Sequence, residues 1–143
     1  MFDKLSQHNN CTINDVVPYY ELVDIISHSL MVAYPCYFEE TMSVIAGIST
    51  VTGTPMVSSK HSALVETTRN SPYLIDVKFN NEPELKKYVS SIIYQSKFMS
   101  NVYNLYNNNT VWGNESTRLL SYIDSLSIVN CANKIINVIN GDK

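Results

Sequence analysis

The sequence predicts an α+β protein with an N-terminal helix, a short antiparallel sheet at about 42–80 and two long C-terminal helices. Apolar residues recur at helical spacing near the N-terminus and again after residue 81, whereas apolar and polar side chains alternate at 73–79, as in a strand. Residues 44–52 are mostly β-branched, which favours a strand over a helix. An all-α bundle is the alternative, because residues 37–68 fit either a helix or a strand.

The first helix is predicted at about 15–33. Thr12 or Asn14 can cap its N-terminus, and Pro18 suits the first turn, where the backbone amide has no helical partner. Apolar residues then follow at intervals of three and four until Tyr34-Pro35, where the residue before proline disfavours the helical conformation.

The sheet is predicted from residues 73–79. Because a single strand leaves its backbone groups unpaired, it needs a neighbour. The nearest suitable segment is Ala63–Arg69, which Asn70-Ser71-Pro72 would join to it as a turn. Two strands connected so closely pair in the antiparallel direction.

The third segment with helical spacing begins at Asn81. Asn81 is a good cap, Pro83 fits the first turn, and the acids beside them favour the positive end of the helix dipole. An apolar stripe follows and predicts a central helix that is covered on more than one side: Leu85, Val89, Ile92, Met99, Tyr103 and Tyr106. A final helix is predicted from near Asn114 or Ser116 to Gly141.

Composition restricts the possible functions. The chain of 143 residues predicts one domain, 1–143, in which 1–14 are expected to be loosely ordered. Its net charge of −3 disfavours nucleic acid as a partner, and no apolar run is long enough for a membrane span. Three widely spaced cysteines do not form a disulfide framework, and the first eight residues lack the basic and apolar regions of a secretion signal, so a cytoplasmic protein is predicted.

Glu21, Asp24 and His28 would share one face of the first helix, since they are three and four residues apart. A carboxylate beside an imidazole can serve acid–base chemistry or hold a metal ion. Three groups do not complete such a site, and the same spacing is typical of a solvated helix face. The sequence therefore predicts no metal site here.

His61 lies among Ser58, Ser59 and Ser62 and could activate a neighbouring serine as a nucleophile. The serine lacks the flanking glycines of a nucleophile elbow, and no glycine-rich phosphate loop occurs in the chain. His8 and Cys11 have metal-ligand spacing, but a second closely spaced pair is missing. We therefore predict no enzyme, no catalytic residue and no cofactor.

A protein interface is the best-supported function at this point. Acidic residues near aromatic side chains suit a protein interface, in which aromatic rings anchor the partner and charges steer it. The candidate partner-binding residues are Tyr37, Glu39, Glu40, Asp76, Glu82 and Glu84. The sequence thus predicts a non-catalytic module that inhibits or occludes a protein partner, most concretely an immunity protein or antitoxin that neutralises a basic toxin domain such as a nuclease.

Other hypotheses remain open. A virus-encoded modulator of host proteins would have a similar composition. A sensor or carrier of a small apolar ligand could use methionines as adaptable walls, namely Met31, Met42, Met56 and Met99. An enzyme that uses the Glu21 face ranks last. A homodimer is compatible with each hypothesis, because the stripe from Leu85 to Tyr106 could contact a second copy.

Overall fold

The computed structural model describes residues 9–79 and 81–123. Within these residues, helices alternate with three short strands in the first half of the chain, and three further helices follow. The elements are α1 (Tyr19–Ser27), β1 (Val32–Tyr34), α2 (Val44–Thr52), β2 (Met56–Lys60), α3 (Ser62–Thr67), β3 (Leu74–Asp76), α4 (Glu82–Val89), α5 (Ile92–Asn107) and α6 (Asn109–Leu120).

The three strands form a parallel sheet in the order β1-β2-β3. Ala33 pairs with Val57, and Ser59 pairs with Ile75. The predicted antiparallel sheet is therefore wrong, and the all-α alternative is not supported either. The physical reason is that α2 and α3 each return the chain to the same edge of the sheet, so that every strand starts from that edge and points the same way.

Residues 63–69 illustrate this error, because they belong to α3 and its end instead of a strand. Leu64 is fully buried beneath the helix. Arg69 and Asn70 both adopt left-handed backbone conformations, with φ angles of 54° and 53°, and the Asn70 amide donates to the Val65 carbonyl at 2.7 Å. Asn70-Ser71-Pro72 thus terminates a helix where the sequence predicted a hairpin turn.

The β-branched segment 44–52 forms helix α2. Ser43 caps it by accepting a hydrogen bond from the Ala46 amide, and the Thr52 hydroxyl donates to the Ile48 carbonyl at 2.8 Å. Ala46 and Ile48 are buried. Burial of this face and the cap at Ser43 outweigh the modest preference of β-branched residues for strands.

The N-terminal helix is shorter than predicted. It begins at Tyr19, directly after Pro18, and ends at Ser27, so part of the predicted 15–33 helix is the strand β1. The Ile26 carbonyl near the helix end accepts two hydrogen bonds, from the Ser29 amide at 3.0 Å and from the Thr54 hydroxyl at 2.9 Å, and the second bond connects α1 to the turn after α2.

The predicted helix start at Asn81 is confirmed, because the Asn81 side chain accepts from the Glu84 amide at 3.0 Å. The long helix predicted to follow is in fact two helices, since Ser91 caps a new helix by accepting from the Tyr94 amide. The last helix, α6, begins at Asn109 and not near residue 114. Its predicted continuation to residue 141 lies outside the described residues.

Two apolar clusters lie on opposite faces of the sheet, because the side chains of Met56 and Val57 point to opposite sides of β2. Met56 packs with Cys36, Ala46 and Leu64 on the side of α2 and α3. On the other face, Val57 and its neighbours pack against α5; this cluster contains Ile75, Tyr94 and Leu105.

Helix α5 buries a different face from the predicted one. Tyr94 and Leu105 are its buried residues, because the sheet and α6 pack on that side. The predicted stripe is exposed on this helix, at Ile92, Met99, Tyr103 and Tyr106. Among residues 9–79 and 81–123, no helix has the length and apolar content that crossing a membrane requires.

Candidate functional site

The carboxyl ends of the three parallel strands meet at one edge of the sheet, where α/β proteins commonly place their functional residues. We call this region the carboxyl edge. It comprises the loop 35–42 after β1, His61 and Ser62 after β2, and the segment from Asp76 to the first turn of α4. All six predicted partner-binding residues belong to these segments.

The loop after β1 is held by serines of the neighbouring strand. The Ser58 hydroxyl donates to the Tyr34 carbonyl at 2.6 Å, and the Ser59 hydroxyl donates to the Cys36 carbonyl at 2.6 Å. Both serines are fully buried. These bonds satisfy polar groups that burial would otherwise leave unpaired, and they fix the point at which the loop leaves the sheet.

Glu40 has a structural role in this loop. Its carboxylate accepts a hydrogen bond from the Tyr34 hydroxyl, and its backbone carbonyl accepts from the Ala63 amide at 3.1 Å. Burial and the neighbouring Glu40 carboxylate raise the pKa of the Tyr34 hydroxyl, which therefore stays protonated and keeps donating. Glu40, one of the six predicted partner-binding residues, is thus hydrogen-bonded within the fold.

Tyr37 and Phe38 form an exposed aromatic pair on the same loop. Their rings lie 5.7 Å apart in an edge-to-face arrangement, and each side chain is partly exposed. The Lys86 ammonium lies 5.4 Å from the centre of the Tyr37 ring. This contact connects α4 to the loop after β1, although the two residues are far apart in sequence.

The acidic residues at the carboxyl edge differ in their surroundings. Glu39 is exposed beside the aromatic pair. Asp76 lies 3.4 Å from the ammonium of Lys60, and both side chains reach solvent. Glu82 and Glu84 are exposed in the first turn of α4, where the helix dipole favours negative charge. Glu39, Glu82 and Glu84 thus present their carboxylates at the exposed surface of the carboxyl edge.

His61 and Ser62 occupy the junction between β2 and α3. The His61 Nδ1 lies 3.1 Å from the Ser62 hydroxyl oxygen, and Ser62 has a left-handed φ of 50°. The next amide, that of Ala63, already donates to the Glu40 carbonyl and so cannot stabilise an oxyanion. As a result, the described residues hold a Ser–His pair in which the amide expected to form the oxyanion hole is already occupied.

Burial lowers the pKa of the His61 imidazole, even though Glu39 and Glu40 favour its charged form. Its Nε2 is buried without a hydrogen-bond partner among the described residues, and its ring packs against Phe79. The folded protein thus favours neutral His61.

This environment predicts a pH-dependent stability. The unfolded chain takes up a proton at His61 near its ordinary pKa of about 6.5, whereas the folded chain does so only at lower pH. The free energy of unfolding is therefore expected to fall as the pH decreases below about 6.5. Urea titrations of the wild type and of His61→Gln at several pH values measure the slope, which the substitution is expected to reduce. His28→Gln at an exposed site is the control, and an equal effect of both variants would contradict the prediction.

The predicted Glu21, Asp24 and His28 face is a solvated helix surface. His28 Nδ1 lies 3.3 Å from an Asp24 carboxylate oxygen, but both side chains are mostly exposed. Within residues 9–79 and 81–123, no three histidine, cysteine or acidic side chains are placed to hold a metal ion. Cys36 is buried, and burial raises the pKa of its thiol, which disfavours the reactive thiolate. His8 and Cys131 lie outside the described residues.

The four methionines predicted as walls of a ligand site lie in different places. Met56 is buried in one apolar cluster, and Met31 packs against the other. Met42 and Met99 are exposed on separate elements, the loop before α2 and α5. They do not line a common cavity.

Sequence reasoning missed Phe38 at the carboxyl edge and also Lys86, which contacts this edge from α4. The predicted Asn81 cap placed Lys86 correctly on a helix, but no local signal shows that this helix packs beside Tyr37.

Comparison with protein-family models, with curated proteins and with solved structures finds no match to this chain.

Proposed function

We propose that this protein is a non-catalytic binding module that inhibits or occludes a cationic protein partner through its carboxyl edge. One observation supports this proposal above the others. An exposed aromatic pair and exposed acids from sequence-distant segments, namely Tyr37, Phe38, Glu39, Glu82 and Glu84, belong to one edge of the sheet, where the Lys86 contact connects the loop and α4.

The chemistry of these groups fits a protein surface. Tyr37 and Phe38 supply large apolar areas of the kind that anchor an interface, while the carboxylates steer a cationic partner and fix its orientation. The lysines at this edge limit its net charge. Lys60 offsets Asp76, and Lys86 covers one side of the Tyr37 ring. Specificity would come from the positions of the exposed carboxylates at this edge, which include Glu39, Glu82 and Glu84.

The most concrete form of this proposal is an immunity protein or antitoxin whose partner is a basic toxin domain such as a nuclease. The acidic balance of the chain supports this form, because an inhibitor with negative charge associates rapidly with a positively charged catalytic surface. The occupied Ala63 amide beside Ser62 agrees with a non-catalytic role.

The proposal predicts that reversing two of these charges weakens binding selectively. In Glu39→Lys/Glu84→Lys, both exposed acids become bases, so steering is lost and like charges oppose the partner. The association rate is expected to decrease by about tenfold or more at low salt. Tagged wild type and variant would first be used to capture partners from the native source, and the association rate with the captured protein would then be measured at several salt concentrations.

Glu21→Lys/Asp24→Lys on α1 is the matched control, because it makes the same change in net charge at exposed positions away from the carboxyl edge. Thermal unfolding confirms that each variant is folded; loss of the acid at the start of α4 is expected to cost at most about 1 kcal/mol. One stoichiometric partner that binds the wild type and the control, but not Glu39→Lys/Glu84→Lys, supports the proposal. A partner that binds all three proteins equally at every salt concentration contradicts it.

A further inference from the structure

His61 occupies the centre of the carboxyl edge. It follows β2, the middle strand of the sheet, so it lies between the loop after β1 and the segment after β3. Its ring contacts Phe79 of the latter segment edge to face, with ring centres 5.6 Å apart. His61 is only 6% exposed. A titratable ring is thus buried between the segments that carry the predicted partner-binding residues.

The loop after β1 is attached to the chain on both sides of His61. Two residues before His61, the Ser59 hydroxyl donates to the Cys36 carbonyl at 2.6 Å. Two residues after it, the Ala63 amide donates to the Glu40 carbonyl at 3.1 Å. Movement of the loop near His61 must therefore break or bend at least one of these two hydrogen bonds.

The His61 ring lacks an acceptor for a second N–H group. Nδ1 lies 3.1 Å from the Ser62 hydroxyl oxygen, whereas Nε2 is buried without a hydrogen-bond partner among the described residues. A neutral imidazole tolerates this arrangement, because one of its nitrogens carries no hydrogen. A protonated ring has an N–H group at both nitrogens, and a buried charged donor without an acceptor is costly. Protonation therefore requires a structural change that brings an acceptor to Nε2.

Among the described residues, the groups that favour a charged His61 belong to the loop after β1. They are the Cys36 carbonyl and the carboxylates of Glu39 and Glu40. The Cys36 carbonyl already accepts a serine hydroxyl, and the Glu40 carboxylate accepts the Tyr34 hydroxyl. Glu39 is exposed, so its carboxylate can reach the buried Nε2 only if the loop moves.

Other titratable groups close to His61 along the chain or at this edge are engaged or face solvent. The Lys60 ammonium lies 3.4 Å from the Asp76 carboxylate of β3. Lys78, next to Phe79, is exposed. Burial raises the pKa of the Cys36 thiol, which therefore stays neutral in neutral and acidic solution. The two loop carboxylates are thus the charges to which a protonated ring responds.

We propose that His61 is a pH-sensitive switch of the loop 35–42. When the ring is neutral, the loop has the conformation described above. When the ring takes up a proton, the hydrogen bond from the Ala63 amide opens and the loop moves until the Glu39 carboxylate accepts from Nε2. The exposed aromatic pair on the loop is displaced by the same movement.

Amide hydrogen exchange of the full-length protein, followed by NMR between about pH 7.5 and about pH 4.5, tests this switch. The chemical shift of the His61 ring gives the pH at which the ring titrates. The protection factor of the Ala63 amide, which is corrected for the intrinsic pH dependence of exchange, is expected to fall at least about tenfold with the same midpoint. The Val32 amide, which donates to the Pro55 carbonyl at 2.8 Å at the opposite end of the sheet, is expected to stay protected.

Two variants and one control assign the change to His61. In His61→Gln the titrating group is absent, so the Ala63 protection factor is expected to stay constant over this pH range. Glu39→Gln keeps the histidine but removes a charge that favours its protonation, so the loss of protection is expected at lower pH. Because Glu39 is exposed, this variant also tests the switch if His61→Gln does not fold. His28→Gln at an exposed site is the control and is expected to behave like the wild type.

The switch has a consequence for binding, which rests on the proposed function. For a partner that binds the carboxyl edge, the affinity is expected to fall by about tenfold for each pH unit below the midpoint, because release is coupled to uptake of one proton. The affinity of the captured partner for the wild type and for His61→Gln measures this effect. A constant affinity although the loop opens would contradict the proposed binding surface and not the switch.

Three results would overturn the switch itself. The first is a constant Ala63 protection factor while the His61 ring titrates. The second is an equal loss of protection at Val32, which would indicate global unfolding instead of loop movement. The third is the same loss in a folded His61→Gln, which would assign it to the carboxylates alone. A loss at Ala63 that follows the titration of His61, spares Val32 and is absent from His61→Gln supports the proposal.

Discussion

Arg118→Met is expected to lower the free energy of unfolding by about 3–5 kcal/mol, a large fraction of the stability of a domain of this size. Glu115 is only 3% exposed, and its carboxylate accepts two hydrogen bonds from Arg118, at 2.7 and 2.8 Å. The Ser71 hydroxyl donates to the same carboxylate at 2.7 Å. Without the guanidinium, the bond from Ser71 would be the one that the residues 9–79 and 81–123 still provide to this buried negative charge. Urea denaturation of the wild type and the variant measures the loss.

Arg118 also closes the end of α3. Its guanidinium donates to the carbonyls of Thr68 and Arg69, at 2.9 and 3.1 Å, where the helix leaves acceptors without helical partners. The variant Glu115→Leu/Arg118→Met removes both charges, so it is expected to be more stable than Arg118→Met alone. It should remain less stable than the wild type, because those two carbonyls still lose their donor.

Lys97→Met is the control for this prediction, since it makes the same change from a base to methionine at an exposed position of α5. Its effect is expected to stay within about 0.5 kcal/mol. If Arg118→Met cost less than about 1 kcal/mol, the buried ion pair would not have the stabilising role that its geometry indicates.

The sequence predicted the start of α4 correctly, because a cap and its target lie three residues apart there. Asn81 and the Glu84 amide are such a pair, and the structure contains their hydrogen bond. The break between α4 and α5 uses the same device at Ser91 and Tyr94. This break is not apparent in the sequence, because the apolar pattern continues through it.

β3 lies within the strand predicted at 73–79, whereas β1 and β2 were harder to predict, because they do not alternate between polar and apolar residues. Four of the five residues of β2 are buried, including Ser58 and Ser59, whose hydroxyls bond to carbonyls of the chain leaving β1. In the sequence, a buried serine whose hydroxyl has a hydrogen-bond partner cannot be distinguished from a serine in a solvated turn. Parallel pairing is also invisible locally, because each connection passes through a helix.

The candidate site could be predicted only as individual residues. Composition and aromatic neighbours singled out Tyr37 and Glu39, but their proximity to α4 depends on the sheet order and on the Lys86 contact. Glu40 shows the opposite limit. In the sequence Glu40 is indistinguishable from Glu39. In the structure, however, the Glu40 carboxylate accepts a hydrogen bond from the Tyr34 hydroxyl and is not a free surface charge.

Gly53→Ala is expected to lower the free energy of unfolding by about 1–3 kcal/mol. Gly53 ends α2 in the left-handed conformation, with a φ of 69°, which a residue with a Cβ atom adopts only at a cost. A Cβ atom there would also lie 2.7 Å from the Leu120 Cγ, closer than these atoms can approach. Either α6 or the turn after α2 must therefore shift. Urea denaturation measures the change.

Gly47→Ala is the matched control for this prediction, since it is the same substitution in the same helix with the opposite expected sign. Gly47 lies in the helix interior with space for a Cβ, so Gly47→Ala is expected to raise the free energy of unfolding by about 0.5–1 kcal/mol. The variant Gly53→Ala/Leu120→Ala separates the two causes at Gly53. Relief of the clash would partly offset the apolar contacts that Leu120 loses, so the two changes should cost less than the sum of their separate effects. If the two costs are additive, the left-handed backbone conformation alone accounts for the destabilisation by Gly53→Ala. The Leu120 side chain then changes its position at no energetic cost.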